Sequence, residues 1–166
     1  MRLLLFSLAA LALTSCSSVR LPADSRVQFD PIRYFTGWSQ GTGVLRVPLS
    51  SPTRIVVESE GTPLANGGLR LRQRVVQGEQ APRWREWRIQ RVAPGRYSGT
   101  LTDAAGPVTI TANGPRAQIA YRMKNGMEVR QQLALQADRR TLLNHMTVSR
   151  FGVRIARMDE TIRKLD

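Results

Sequence analysis

Residues 108–136 read VTITANGPRAQIAYRMKNGMEVRQQLALQ, and the alternation inside this stretch decides the fold. Val108, Ile110 and Ala112 alternate with Thr109 and Thr111. Ile119, Tyr121 and Met123 alternate with Ala120, Arg122 and Lys124, and Val129, Leu133 and Leu135 with Arg130, Gln132 and Gln136. Successive side chains of a strand point to opposite sides of the pleat, so an apolar residue at every second position marks a strand with one buried face. Asn113-Gly114-Pro115 and Asn125-Gly126 divide the three runs with turn chemistry. Asn125-Gly126 predicts a two-residue hairpin loop in which both central residues take positive φ.

The same pattern extends in both directions. Candidate strands are Trp38–Val47, Arg54–Glu60, Leu69–Gln77, Trp84–Val92, Arg96–Thr102, Val108–Ala112, Ala117–Lys124, Glu128–Gln136, Thr141–Ser149 and Val153–Met158. Ser51-Pro52, Asn66-Gly67-Gly68, Ala81-Pro82, Pro94-Gly95 and Ala105-Gly106-Pro107 supply the remaining turns. Short strands at regular spacing predict an all-β domain built as an antiparallel meander. Closing the meander into a barrel of about eight to ten strands removes the two edges that would otherwise pair with other chains. Each strand has one apolar side, so the interior is expected to be largely apolar. The outward faces carry too little hydrophobicity for a membrane-spanning barrel. Asp159–Asp166 reads as a short C-terminal helix or a frayed tail.

Upstream, residues 1–15 are MRLLLFSLAALALTS, with Arg2 followed by an apolar run from Leu3 to Leu13. A positive start, a short apolar core and small residues at its end describe a secretory signal peptide. The run is well short of the ~20 residues that a membrane-spanning helix needs. Leu13-Thr14-Ser15-Cys16 resembles the lipobox of bacterial lipoproteins. That resemblance implies cleavage before Cys16, lipidation of its thiol and acylation of the new amino terminus. Ser17, where retained lipoproteins carry Asp, implies sorting to the outer membrane. The expected organisation is a signal peptide over 1–15, a lipidated tether over 16–28 and a barrel over 29–166. The expected address is the cell envelope, as an outer-membrane lipoprotein facing the periplasm, handled by lipoprotein-processing and sorting machinery.

Composition narrows the chemistry. The net charge is +13, with only two lysines (Lys124 and Lys164) among 25 basic residues. Arginine's planar fork suits phosphate and carboxylate, so anionic lipid and lipopolysaccharide are fitting partners; codon usage in a GC-rich genome explains the same bias. Export removes nucleic acid as a partner. One cysteine, at position 16, allows no internal disulfide. One histidine, His145, excludes a two-histidine metal site and most nucleophile–base pairs. No catalytic residue, metal or cofactor is therefore expected, and the chain does not read as an enzyme. His145 shares a face with Leu143 and Thr147 and reads as structural. Glu58 and Glu60 share a face and answer nearby arginines, and Asp103 reads as a turn-former.

The arginines divide into two groups. Arg70, Arg72 and Arg74 lie opposite Leu69, Leu71 and Val75 and read as a solvated outer face, with a ligand-gripping rim as the competing reading. Arg85 and Arg91 share a face with Trp87 and Ile89, which suits an anionic head held beside aromatic walls. A wider series of residues then stands out: Phe29-Asp30, Tyr34-Phe35 and Gly37-Trp38; Arg85 with Trp87; Tyr97-x-Gly99, Asp103 and Gly106; Leu143-Asn144-His145-Met146; and Phe151-Gly152. From Phe29 to Lys164 this series resembles the domain-of-unknown-function 3833 family of proteobacterial lipoproteins. The resemblance implies a lipocalin-like barrel and brings no established activity with it. Gly37-Trp38 is also similar to the first strand of lipocalins, in which the Trp closes the barrel floor. In such a barrel the ligand contacts are expected from Trp38, Arg85, Trp87, Tyr97, Tyr121, Asn144 and Arg150. The expected function is binding of a fatty acid, lipid or other small hydrophobic molecule. The alternative is a non-enzymatic envelope scaffold that uses an arginine-rich face on anionic lipid, lipopolysaccharide or a partner protein. A lipid-modifying enzyme would need Asp103 or His145 to face a pocket.

Overall fold

Alternation from strand to strand leaves one face of each strand needing cover, and the chain supplies it by closing on itself. The computed structural model describes residues 21–166, so Cys16 and the signal segment lie outside the described residues. Ten strands follow one short helix: α1 (Pro31–Phe35), β1 (Gly37–Arg46), β2 (Thr53–Pro63), β3 (Leu69–Gln77), β4 (Arg83–Ala93), β5 (Arg96–Leu101), β6 (Val108–Asn113), β7 (Arg116–Arg122), β8 (Glu128–Leu135), β9 (Thr141–Arg150) and β10 (Val153–Lys164). Each strand pairs antiparallel with its sequence neighbour. β1 and β10 pair with each other over Ser39–Arg46 and Arg157–Lys164, so no edge remains open. Among the described residues no helix is long and apolar enough to cross a membrane.

The predicted alternation places the core. Leu69, Leu71 and Val75 are buried on β3, and Val108 and Ile110 on β6. Ile119 and Tyr121 on β7 and Val129 and Leu133 on β8 are buried with them. Burying one such side chain contributes roughly 1.5–3 kcal/mol relative to leaving it exposed, so the inner faces dominate the stability of the closed sheet.

Meander order sorts the turns between the two ends of the barrel. The β1–β2, β3–β4, β5–β6, β7–β8 and β9–β10 turns gather at one end, called here the mouth. The other turns, the start of β1 and the end of β10 gather at the floor.

Three features differ from the sequence expectations. The segment Asp159–Asp166 is neither helix nor tail, because β10 continues to Lys164 and closes the barrel against β1. At the β7–β8 turn only Gly126 takes positive φ (84°). Gly126 N donates to Met123 O at 2.9 Å and Met123 N to Met127 O at 2.7 Å, so the hairpin carries a longer loop in which Asn125 stays in an ordinary conformation. The third is α1, which the β pattern concealed. Asp30 caps it by accepting from Ile32 N at 3.0 Å, and Pro31 begins it where a missing N–H costs nothing.

Helix α1 closes the floor. The rings of Phe29, Tyr34 and Phe35 pack on one another with centroids 4.9 to 6.5 Å apart. Tyr34 Oη donates to Arg140 O at 2.8 Å, and Phe29 N donates to Gly114 O at 2.8 Å, which ties the plug to the turns around it. The end of α1 rests directly on β2. A Cβ at Gly61 would stand 1.7 Å from Phe35 O, so only glycine fits there.

Candidate functional site

The interior is largely apolar, as the alternation predicts, but not wholly so. Besides Ser39 on β1, five inward positions on five strands are polar and buried: Ser59 (β2), Gln73 (β3), Gln131 (β8), Asn144 (β9) and Glu160 (β10). They surround a cavity of about 50 Å³ whose apolar walls include Leu71, Trp87, Ile110 and Leu133, with Phe29, Pro31 and Phe35 at its floor. A water needs ~10–15 Å³ of such space, and pockets that enclose drug-sized ligands run to ~300–1,000 Å³. The cavity therefore accepts a few waters or the polar end of a small molecule as it stands.

Two hydrogen-bonded groups build its polar lining. Trp87 Nε1 donates to Gln73 Oε1 at 2.7 Å, Arg85 Nε donates to the same oxygen at 2.8 Å, and Gln73 Nε2 donates to Ser59 Oγ at 2.9 Å. Across the cavity Asn144 Nδ2 donates to Gln131 Oε1 at 3.1 Å and to Glu160 Oε2 at 2.9 Å. Asn144 is 4% exposed, and its Oδ1 has no hydrogen-bond partner among the described residues. A buried polar atom left unpaired costs roughly 1–3 kcal/mol, and this one belongs to a residue that lines the cavity.

Glu160 is the buried charge-bearing group. Removal from water pushes its carboxyl above the ordinary value of 4.5, against weaker downward pulls from the Asn144 hydrogen bond and the Arg85 guanidinium. Room for it comes from β1, whose inward positions are Ser39, Gly41 and Gly43. A Cβ at Gly41 would stand 2.1 Å from Glu160 Oε1, so the missing side chain on one strand admits the carboxyl of the next.

The sequence-predicted residues fall in several places. Trp87 and Asn144 line the cavity. Arg85 is half-buried at its flank, with its guanidinium 5.8 Å from the centre of the Trp87 ring. Tyr121 packs edge-on against Trp87 at 5.7 Å, and burial pushes its hydroxyl above its ordinary value. Tyr97 is buried beneath Arg91, whose guanidinium lies 5.0 Å from its ring, outside the cavity lining.

Trp38 does not close the floor. It is 53% exposed, and α1 does that work. Arg150 is exposed next to the β9–β10 turn and stacks on Phe151, away from the cavity. Arg91 does not join Arg85 either. It keeps the face of Trp87 and Ile89, opposite buried Tyr97 in the register, but lies exposed at the floor end of β4, where it pairs with Asp30.

Sequence reasoning missed Ser59, Gln73, Gln131 and Glu160. Ser59 and Gln73 sit at inward register positions next to Val57 and Leu71, so the strand period alone placed them inside. The run Ser39-x-Gly41-x-Gly43 was the signal that one wall lacks side chains.

The other candidates carry no assembled chemistry. His145 faces the outside of β9, buried against Asp159 with Nδ1 2.6 Å from Oδ1, and Arg46 donates to the second oxygen of Asp159 at 3.0 Å. Asp103 lies at the β5–β6 turn, where its carbonyl accepts from Lys124 N. Glu58 pairs with Arg74 at 3.1 Å on the outer wall, and Arg72 stacks at 5.3 Å on Trp84, as a solvated face would. Among the described residues no three His, Cys, Asp or Glu side chains gather to hold a metal ion.

A closed ten-stranded barrel with a buried polar cluster can be set beside known proteins. The profile of the family described as "Protein of unknown function (DUF3833)" matches residues 10–164. The chain belongs to that family. No curated protein sequence matches it significantly. Among solved structures it is similar to the S-type phycobiliprotein lyase CPES from Guillardia theta. The TM-score is 0.62 at 4% sequence identity, over 81% of this chain and 91% of that one. At that identity the likeness concerns the fold alone, and it makes this DUF3833 member a lipocalin-like barrel.

Proposed function

We propose that the protein is an outer-membrane lipoprotein, anchored through Cys16, whose barrel binds a small amphipathic molecule without transforming it. The observation that supports this most is the convergence of Ser59, Gln73, Gln131, Asn144 and Glu160 on one cavity with apolar walls, with Asn144 Oδ1 unpaired. An apolar surround with a few placed polar groups is the usual composition of a small-molecule site. The ligand's polar head bonds Asn144 Oδ1 and the Glu160 carboxyl, and Arg85 supplies positive charge at the flank. Its apolar part lies against Trp87, Leu71 and Ile110. A longer chain enters by displacing the partly buried methionines Met123, Met127 and Met146, whose unbranched side chains repack readily.

Native mass spectrometry of the protein, incubated with lipid extracted from the bacterial envelope, tests the binding. A discrete adduct on the wild type that falls at least tenfold in Asn144→Leu is the expected result. An adduct unchanged by that substitution, or no adduct from any extract, counts against the reading. Separately, Cys16→Ser is expected to release the protein from the membrane fraction, and persistence there would remove the lipid anchor.

A further inference from the structure

The mouth of the barrel carries a feature that ligand binding does not need. Two neighbouring hairpins, β1–β2 and β9–β10, end in bulky apolar residues held in open water. Leu49 is fully exposed and Phe151 is 92% exposed, with Val47 and Val153 exposed beside them. Leu49 (φ 62°) and Phe151 (φ 50°) are two of the three non-glycine residues with positive φ among the described residues. Left-handed backbone is unfavourable for large L side chains and is ordinarily given to Gly, Asn or Asp. The fold thus holds strained turns at two points and places on each a side chain that it does not bury. Strain of this kind concentrates at functional positions.

The ground around the two tips is positive. Arg54, Arg150, Arg154 and Arg157 are exposed on the strands that carry these hairpins. Of the acidic groups nearby, Glu128 is bound by Arg122 and Asp159 by Arg46 and His145, which leaves Glu79, exposed beside Arg54, as a single negative charge against the four arginines. We infer that this edge of the mouth docks on an anionic lipid bilayer, with Leu49 and Phe151 entering the interface and the arginines meeting the headgroups.

The docking does not depend on the ligand reading.

Vesicle co-sedimentation tests it on the chain from Leu21 onward, which keeps every described residue, the whole barrel included, and lacks any acyl chain. The probes are vesicles of phosphatidylcholine alone and of phosphatidylcholine mixed with phosphatidylglycerol. Binding is expected to the anionic vesicles only, and to weaken at high salt. Leu49→Asn with Phe151→Asn suits the left-handed backbone, so this variant is expected to fold at least as stably as the wild type yet bind at least tenfold more weakly. Val92→Asn, which removes an exposed apolar residue near the floor, is expected to bind as the wild type does. Undiminished binding by the double Asn variant overturns the inference, as does equal binding to neutral vesicles. Self-association of the wild type through the tips, seen by sedimentation velocity without vesicle binding, assigns the patch to a second copy and also overturns it.

Discussion

Replacing Glu160 by Gln should remove a loss of stability that sets in as pH rises. Glu160 is 7% exposed and its folded carboxyl titrates above 4.5, chiefly because burial disfavours the charge. In the unfolded chain the same group titrates at about 4.3–4.5. Between these two values the native state holds a proton that the unfolded state has released. Stability from this group is therefore complete below the unfolded value and is lost as pH rises through the folded one. The slope reaches about −1.4 kcal/mol per pH unit in that window and levels off above the folded value. The amide introduced by Glu160→Gln stays neutral throughout and keeps an oxygen for Asn144 Nδ2. Thermal unfolding by near-ultraviolet circular dichroism at a series of pH values compares the two proteins. Their curves should coincide below about pH 4. Above that, Glu160→Gln should gain steadily, by about 2–4 °C for each kcal/mol in a chain of this length. Other titrating groups act on both proteins and cancel in the difference. A difference that is flat with pH, or one in which the wild type pulls ahead as pH rises, would mean that ionised Glu160 is stabilised by Arg85, and would refute the argument.

Three further outcomes test the floor and the polar lining. Gly61→Ala places a methyl group where Phe35 O now rests, and shifting α1 to make room is expected to cost about 1–3 kcal/mol in denaturant unfolding and to quicken proteolysis near residues 29–36. Gln73→Leu leaves Trp87 Nε1 and the Arg85 guanidinium without their shared acceptor, so a loss of about 2–4 kcal/mol is expected, with a shifted tryptophan emission. Tyr34→Phe removes one hydroxyl donor to Arg140 O and Ile162 O and should cost about 1 kcal/mol. A neutral effect at Gln73 would count most heavily against the polar lining as described.

The barrel was legible because its outer wall is ordinary. Wherever an apolar inward face met a polar outward one, as on β3, β6 and β7, the period of two gave the strand and its orientation. The candidate site was hard to see for the converse reason. Gln131 breaks the series Val129–Leu133 and Glu160 breaks the series Met158–Ile162, so each polar inward residue made its strand look less like one. In β10 this went far enough that Asp159–Asp166 read as helix or tail. Helix α1 had a start signal in Asp30-Pro31, but five residues are too few for helical periodicity to compete with the aromatic, strand-like composition of the segment. Trp38 misled because its position depends on which face β1 turns inward. That face is the small-residue face 39–41–43, which leaves the indole outside.

The seam between β1 and β10 also governs how the chain comes to be folded. Ser39 pairs with Lys164 across more than a hundred residues of sequence, and contacts of such separation form late because the intervening loop must first be closed. Until Val153–Lys164 docks, β1 and β9 each present a bare row of backbone donors and acceptors next to an uncovered apolar interior. Sheet edges in that state recruit other chains. For a chain exported as proposed, emerging unfolded from a translocation channel, the interval before the last strand closes the ring is the period of greatest exposure to aggregation and to proteases. Substitutions along the seam should therefore lower the amount of protein recovered before they alter anything the finished barrel binds.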